Sequence, residues 1–493
     1  MSVDDLVAFE ERADELGASS ASPASPASAR SPFGCFSNAS MIFPPAFDPS
    51  PVSPASSALT ILAFAPAVAK YEHADDRGQA AAASATREEL KDLLRAVLER
   101  SSNMEGPDRN ASERARALYL RGRLIECTAD QGDADGAKAL VGAEEALKKA
   151  AKLNPTLEGA WICLGQLLWK KGNLDGAKNC YAAVTSRAPN KKASQCMSML
   201  CRTIAKAKAT PGTDEQKEHV VESLKHAKAA IKLDVTDGYS WYQCGMAYMT
   251  QFFAEGATDP NKLSQSLQCF AGAEKGGPAG DGSLEKGGIG DYPDLHFNRA
   301  TVQRYVEEYA SALEGFKRAA QLDPQLPWKG EVDAMLAVLT KLDDGCAGQG
   351  PMFKPKRLLP VQKTLAEARA PSAAEEYRGG SLKALAPGVN KGVCVNVRAA
   401  LDATAEDMLN LHYIVVDGDG TLAALSVYGL EDGAVRQSST LTLLDPNVKD
   451  VDATWEGRRF KFRLVRVDLP KQILVGGTMP VGLARPRLAS VNL

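Results

Sequence analysis

The chain has 493 residues, of which 44% are hydrophobic and 24% are charged, and its formal net charge is −3. This balance is typical of a soluble globular protein, and the length allows two or three domains with substantial cores. The small negative charge argues against general binding of polyanions, and the ten cysteines include no C-x-x-C pair, which favours reduced thiols in a cytosolic or nuclear protein.

Residues 1–85 are predicted to be a disordered arm. The stretch 16–58 is rich in Ser, Ala and Pro, and such a tract cannot bury enough apolar surface to offset its ordering entropy. The acidic first fifteen residues suit neither a secretory nor a transit peptide. The apolar run 57–68 contains a proline and is too short to span a bilayer, so we expect no membrane partner.

Residues 86–343 are predicted to form a superhelix of tetratricopeptide repeats, with helical signals that begin in the segment 86–100. Five helix-like segments end in a similar way, at Pro155, Pro189, Val235, Pro278 and Pro324. The first interval equals the period of about 34 residues that is typical of this repeat, and the longer intervals contain loop-like insertions. We therefore predict five stacked helical hairpins.

The first halves of the units repeat as well. LEGAWICLGQLL and GYSWYQCGMAYM place Trp161 and Trp241, and then Gly165 and Gly245, at equivalent positions. A glycine at such a point lets two helices approach closely, since a larger side chain would separate them. We expect each hairpin to cross at its glycine.

The period changes towards the C-terminus. Residues 331–342 are predicted to be a helix that caps the solenoid, and residues 344–386, rich in Gly, Pro and basic residues, a linker. Residues 387–480 contain short alternating apolar runs separated by turn residues, which favours a small closed barrel of the OB type, with a tail at 481–493. The predicted fold class is mainly α, an α-solenoid followed by a small all-β barrel.

No catalytic or cofactor-binding motif is recognised, so we expect no enzyme, no cofactor and no metal. DGDG at residues 417–420 resembles the start of a calcium loop but lacks the later ligands, so a hairpin turn is favoured. RRFKFRLVR at residues 458–466 interleaves aromatic and basic residues, a pattern that can bind single-stranded nucleic acid. The same alternation is more typical of one amphipathic strand with solvated arginines.

Several stretches together resemble one known family. LGQLLWKKGNLDGA, YPDLHFNRATVQRY, EEYASALEGFKRAAQLDP and LAPGVNKGV are similar to the tetratricopeptide repeat protein 5 family, also described as the stress-responsive coactivator Strap. The resemblance covers roughly residues 110–475 and implies a tetratricopeptide superhelix joined to an OB-fold. It also implies a role in tubulin autoregulation, in which the N-terminal Met-Arg-Glu peptide of nascent tubulin is recognised at the ribosome and decay of tubulin mRNA is triggered, with an mRNA-decay adaptor as a further partner.

Functional positions follow from the resemblance. It implies that Arg202 and Asp294 bind the peptide and that Lys149 and Lys152 contact the ribosome. An acidic groove position of the family falls on Trp328, so the nearby Glu331 is taken as its replacement, and Arg299 is added because it shares the predicted helix of Asp294. First helices line the concave face of such a superhelix, and opposite charges there match a peptide with adjacent Arg and Glu.

Other interpretations stay open. Arg202 and Asp294 could each bind a neighbouring unit, and Lys149 and Lys152 could form an ordinary solvated helix face. The resemblance also implies a nuclear scaffold for a histone acetyltransferase coactivator, so the expected location is both cytoplasmic and nuclear. A third hypothesis is a chaperone adaptor that clamps an acidic C-terminal tail, which would need several Lys and Asn side chains in the groove.

Overall fold

The structure is a computed structural model, and it describes residues 110–128, 134–207, 212–276, 288–367, 374–405, 410–431 and 433–480. The predicted arm at 1–85, the helical signal at 86–100 and the predicted tail at 481–493 lie outside the described residues. The described part forms twelve α-helices followed by nine β-strands, which confirms the predicted fold class. No described helix is both long and apolar enough to cross a membrane.

Ten of these helices pair into five consecutive hairpins. Their bounds are Ala111–Thr128 (α1), Ala134–Leu153 (α2), Glu158–Lys170 (α3), Leu174–Thr185 (α4), Lys191–Ala207 (α5), Asp214–Leu233 (α6), Gly238–Ala254 (α7), Asn261–Lys275 (α8), Pro293–Tyr305 (α9) and Tyr309–Leu322 (α10). Each predicted repeat ending within the described residues follows the second helix of a hairpin, namely Pro155, Pro189, Val235 and Pro324. Pro278 lies outside the described residues.

The hairpins cross at the predicted glycines. A Cβ added to Gly165 would lie 2.5 Å from Cε1 of Tyr181, and one added to Gly245 would lie 2.6 Å from Cε1 of Phe270. Both rings are fully buried. Only a hydrogen atom fits between helix and ring at these points, so the expectation of a close crossing is confirmed.

The repeated tryptophans have equivalent contacts. The indole N–H of Trp161 donates to the carbonyl of Pro155 at 3.0 Å, and that of Trp241 donates to the carbonyl of Val235 at 2.8 Å. Each bond reaches back into the loop that precedes the helix, so each tryptophan fixes the entry of the chain into its unit. The sequence repeat is therefore a structural repeat.

The eleventh helix, Trp328–Cys346 (α11), packs between α10 and the strands that follow. The predicted capping segment at residues 331–342 is thus part of α11, and the β domain packs against this helix at the end of the solenoid. The predicted linker holds a short 3-10 turn and a twelfth helix, Pro355–Glu367 (α12), whose Leu365 is buried. Its prolines and basic residues look like a linker in sequence because one apolar face is enough to seat this helix.

The β domain is one nine-stranded sheet. Its strands are Arg378–Gly379 (β1), Gly388–Val389 (β2), Val393–Asp402 (β3), Leu411–Asp417 (β4), Leu422–Val427 (β5), Thr440–Leu444 (β6), Asn447–Trp455 (β7), Arg458–Val467 (β8) and Ile473–Val475 (β9). The path runs β2-β7-β8-β5-β4-β3-β6-β9, with β1 beside β3. DGDG forms the turn of the β4–β5 hairpin, as predicted, and Asp417 accepts the N–H groups of Asp419 and Thr421 there.

Strand β8 is amphipathic. Phe460 and Phe462 are buried. Its outward arginines pair with aspartates: Arg458 with Asp344, Arg459 with Asp452 and Arg463 with Asp450. Aromatic rings that face inward cannot stack on bases, so this geometry favours the amphipathic strand over a nucleic-acid surface.

One apolar cluster crosses the boundary between the two domains. It joins Phe316 of α10 and Leu339 of α11 to Ile414, Phe460 and Leu464 of the sheet. A second cluster, which includes Val397, Leu425 and Val465, lies wholly inside the β domain. The solenoid and the β domain therefore share part of their hydrophobic core.

Candidate functional site

Arg202 is a buried cation on α5. Its guanidinium donates to Ser198 Oγ at 3.1 Å, to Ser223 Oγ at 3.3 Å and to the side-chain oxygen of Gln243. Burial lowers its pKa to about 10, so it remains charged at neutral pH. Within the described part of the chain it makes no ion pair with a carboxylate, and its Nε makes no hydrogen bond. A buried charge with only neutral partners lowers the stability of the folded state, because its desolvation is not compensated by an opposite charge.

Asp294 is a half-buried carboxylate in the first turn of α9. Burial raises its pKa to about 6, against a hydrogen bond with Tyr292 that favours the ionised form, and the nearby Asp323 adds to the rise. None of the described cations forms an ion pair with it. Helix N-termini favour a carboxylate, but here the loss of water outweighs that effect. Asp294 is thus the complement of Arg202: a half-buried carboxylate with no cation paired to it among the described residues.

Tyrosine rings lie between these two charges. The ring of Tyr242 lies 5.3 Å from that of Tyr292 and 6.1 Å from that of Tyr239. Burial raises the pKa of Tyr242 well above its usual value; Asp294 adds to the rise and Arg202 opposes it, so both charges act on the same ring. Tyr239 also feels both charges, so the tyrosine rings lie near Arg202 and near Asp294.

Asn298 links the tyrosine rings to Asp294 by hydrogen bonds. Its Nδ2 donates to the hydroxyl of Tyr242 at 3.0 Å and to the backbone oxygen of Asp294 at 2.9 Å. Asn298 lies four residues after Asp294, and residues at that spacing share a helix face. We call the surface formed by Arg202, Tyr239, Tyr242, Tyr292, Asp294 and Asn298 the charged groove.

The sequence carries a signal for Tyr239, Tyr242 and Gln243. At the positions of Tyr239, Tyr242 and Gln243, the equivalent helix of the earlier unit has Gly159, Ile162 and Cys163. Polar and aromatic residues thus replace small and apolar ones on the inner face of α7. Such a departure from the repeat marks the unit whose inner face contacts Arg202 and Asn298.

The structure places Arg299 and Glu331 apart from the charged groove. Arg299 pairs with Glu274 at 2.6 Å and contacts His296, and it lines a separate cavity of about 580 Å³ beside α8, α9 and α10. Five residues after Asp294, it is rotated by about 140° around the helix axis. Glu331 is buried in an ion pair with Arg304 at 2.5 Å. The structure therefore brings together Arg202 and Asp294 alone among the predicted peptide residues.

The two predicted ribosome residues lie far from this chemistry, on α2. Lys149 and Lys152 are both exposed, and their spacing of three places them on one face of the helix. Neither forms an ion pair with any residue in the described ranges, whereas the adjacent Lys148 pairs with Glu144. The pair is an exposed cationic surface on the first described hairpin.

Stacked helical hairpins with a charged groove, joined to a β domain, define a tetratricopeptide protein of the kind that binds peptides or proteins. The family models agree: a tetratricopeptide repeat matches residues 159–191, and the tetratricopeptide repeat protein 5 OB fold domain matches residues 376–482. The latter match begins before the predicted boundary at 387 and includes β1.

Whole-chain relatives narrow the class to one family. Tetratricopeptide repeat protein 5 of Bos taurus is 32% identical over 419 residues, which cover 82% of this chain and 88% of the relative. The Homo sapiens protein of the same name is 32% identical over 391 residues, covering 77% of this chain and 83% of the relative. The chain belongs to the tetratricopeptide repeat protein 5 family, which confirms the resemblance found in the sequence.

Proposed function

We propose that this protein is a non-enzymatic adaptor that binds the N-terminal Met-Arg-Glu motif of nascent tubulin at the ribosome and recruits decay of tubulin mRNA. The observation that carries the proposal is the charged groove, where burial shifts the pKa of both Arg202 and Asp294 and both charges act on the Tyr242 ring, while neither forms an ion pair within the described ranges. Membership of the family supports a binding role for the solenoid.

The groove is complementary to a peptide with one cation next to one anion. The peptide glutamate offers Arg202 the carboxylate that it lacks, and the peptide arginine offers Asp294 a cation. Hydrogen bonds between ionised partners are shorter and about twice as strong as neutral ones, and burial strengthens them further. Pairing with the peptide therefore offsets the desolvation cost of the buried Arg202 and of the half-buried Asp294.

A direct binding measurement tests this function. Fluorescence anisotropy with a labelled Met-Arg-Glu-Ile peptide should show a loss of about 1–3 kcal/mol for Arg202→Ala and for Asp294→Asn, the size expected for removal of one charged hydrogen-bond partner. Arg299→Ala is the matched control, because it removes an arginine outside the charged groove, and it should leave the affinity unchanged.

Two further peptides define the specificity. A Met-Glu-Arg-Ile peptide has the same composition with the charges exchanged, so it should bind worse than the native order. An acidic chaperone-tail peptide should not bind, because Asp294 and Asp323 lie on one side of the groove. Equal affinity of wild type, Arg202→Ala and Asp294→Asn for the native peptide, with unchanged circular dichroism, would refute the proposal.

A further inference from the structure

Glu307 occupies a glycine position in a turn that the solenoid repeats. After α3 this position is Gly172, with a φ of 79°, and after α7 it is Gly256, with a φ of 88°. After α9 it is Glu307, with a φ of 64°. In all three turns the amide of this residue donates to the carbonyl three residues earlier, at 2.8, 3.1 and 3.0 Å respectively. A side chain makes this left-handed backbone unfavourable, so something else must favour glutamate here.

The β domain surrounds the carboxylate of Glu307. The side chain is 0% exposed, and its Oε2 lies 3.3 Å from Nη1 of Arg466 in β8. Its Oε1 accepts a hydrogen bond from the hydroxyl of Ser426 in β5 and lies 3.0 Å from the hydroxyl of Tyr428. The guanidinium of Arg466 also stacks 4.1 Å from the centre of the Tyr428 ring. A carboxylate buried this deeply is stable only with such partners.

Arg466 and a second cation of the β domain, Lys449, also bind the C-terminal end of α9. Arg466 donates to the carbonyl of Tyr305 at 2.9 Å, and Lys449 donates to the carbonyl of Val306. The last carbonyl groups of a helix have no partner within the helix, and cations at that end complement its dipole. Asp294 is at the other end of this helix. The β domain therefore binds the C-terminal end of α9, and the N-terminal end of the same helix lines the charged groove.

We propose that Glu307 is a positioning residue: with Arg466, Ser426 and Tyr428 it fastens α9 to the β domain and so holds Asp294 in place for peptide binding. We call this contact the Glu307 latch. The expected effect of the latch on peptide affinity rests on the proposed function. Its effect on the contact between the solenoid and the β domain is independent of that function. The latch gives the β domain a role in a site that it does not touch.

The sign of one stability change distinguishes a latch from an ordinary turn residue. Glycine suits a φ of 64°, so Glu307→Gly should raise the melting temperature if Glu307 only makes the turn. If the latch operates, the same variant should lower the melting temperature by about 5 °C, because Arg466 loses its buried partner. Glu307→Gln keeps the size of the side chain and should give a smaller decrease. Glu308 is exposed, so Glu308→Gln is the matched control and should change neither the melting temperature nor the peptide affinity.

Peptide affinity tests the positioning role. Glu307→Gln should weaken binding of the Met-Arg-Glu-Ile peptide by about threefold to tenfold, the usual size of coupling through a packed element. Combined with Asp294→Asn it should cause no further loss, since both changes act through α9. Combined with Arg202→Ala, on a different helix, the two losses should add.

Each outcome decides the question. A higher melting temperature for Glu307→Gly together with wild-type peptide affinity for Glu307→Gln would overturn the latch. A lower melting temperature with unchanged affinity would leave a contact between the domains but would overturn the positioning role. If wild type itself fails to bind the peptide, the proposed function fails, and the melting temperature alone then decides whether Glu307 joins the domains.

Discussion

Peptide binding should depend on pH through Asp294. Its pKa is raised to about 6, and the carboxylate must be ionised to pair with the peptide arginine. A carboxyl group with this pKa is about one-tenth ionised at pH 5 and about nine-tenths ionised at pH 7. Because Arg202 stays charged over this range, the affinity for a Met-Arg-Glu-Ile peptide should rise about tenfold from pH 5 to pH 7.

Isothermal titration calorimetry in one buffer series, with Asp294→Asn as the control, measures this dependence. The variant has no carboxyl group to titrate, so its weak affinity should be nearly flat across the range. A peptide with Gln in place of Glu removes the ligand carboxyl, and it should retain the slope if Asp294 is the titrating group. A wild-type affinity that is constant from pH 5 to pH 7, or a slope that persists in Asp294→Asn, would refute the reasoning.

Folding stability should show the opposite slope. The pKa of Asp294 lies above the value of 3.8 for a free side chain, so the native state binds more protons than the unfolded state between these values. Its contribution is therefore present at low pH and is lost as pH rises from about 4 to about 7. Asp294→Asn should remove this slope and stabilise the free protein at pH 7 by about 1 kcal/mol while it impairs binding. Urea unfolding at both pH values is the measurement.

Two further expectations concern the scaffold and the ribosome. Gly245→Ala should cost about 1–3 kcal/mol in urea unfolding because its Cβ would meet the Phe270 ring, whereas Gly142→Ala, with open space around it, should stabilise α2 by about 0.5–1 kcal/mol; equal effects would contradict the close crossing. Lys149→Glu combined with Lys152→Glu should abolish co-sedimentation with ribosomes translating tubulin while peptide affinity stays at the wild-type value, and retained co-sedimentation would exclude this surface.

The repeating features of the fold could be predicted because their causes are local. A glycine that lets Tyr181 or Phe270 approach, and a tryptophan that bonds back to the preceding loop, leave a mark at a fixed spacing. The packing of α11 and α12 against the β domain produces no residue pattern at a fixed spacing, since it depends on residues distant in sequence. Proline and glycine around α12 therefore resembled a linker.

Only part of the charged groove could be predicted from sequence. Arg202 and Asp294 came from the family resemblance, but their lack of charged partners is visible only in three dimensions. Arg299 and Glu331 are charged and lie close in sequence to the expected groove positions. The helical rotation directs Arg299 to Glu274, and an ion pair holds Glu331 against Arg304. The sequence also carries a signal for Glu307, because the equivalent turn position in two other units is a glycine, Gly172 or Gly256.

The apolar cluster that joins α10 and α11 to the sheet has a consequence for synthesis. The helices emerge from the ribosome first, and β8, which covers them, follows about 120 residues later, on the order of 10 s at typical elongation rates. During that interval, Phe316 and Leu339 lack Phe460 and Leu464, their partners in the finished protein. A nascent chain of this protein thus exposes an apolar surface on α10 and α11 for a limited time, during which chaperones or other chains can bind it.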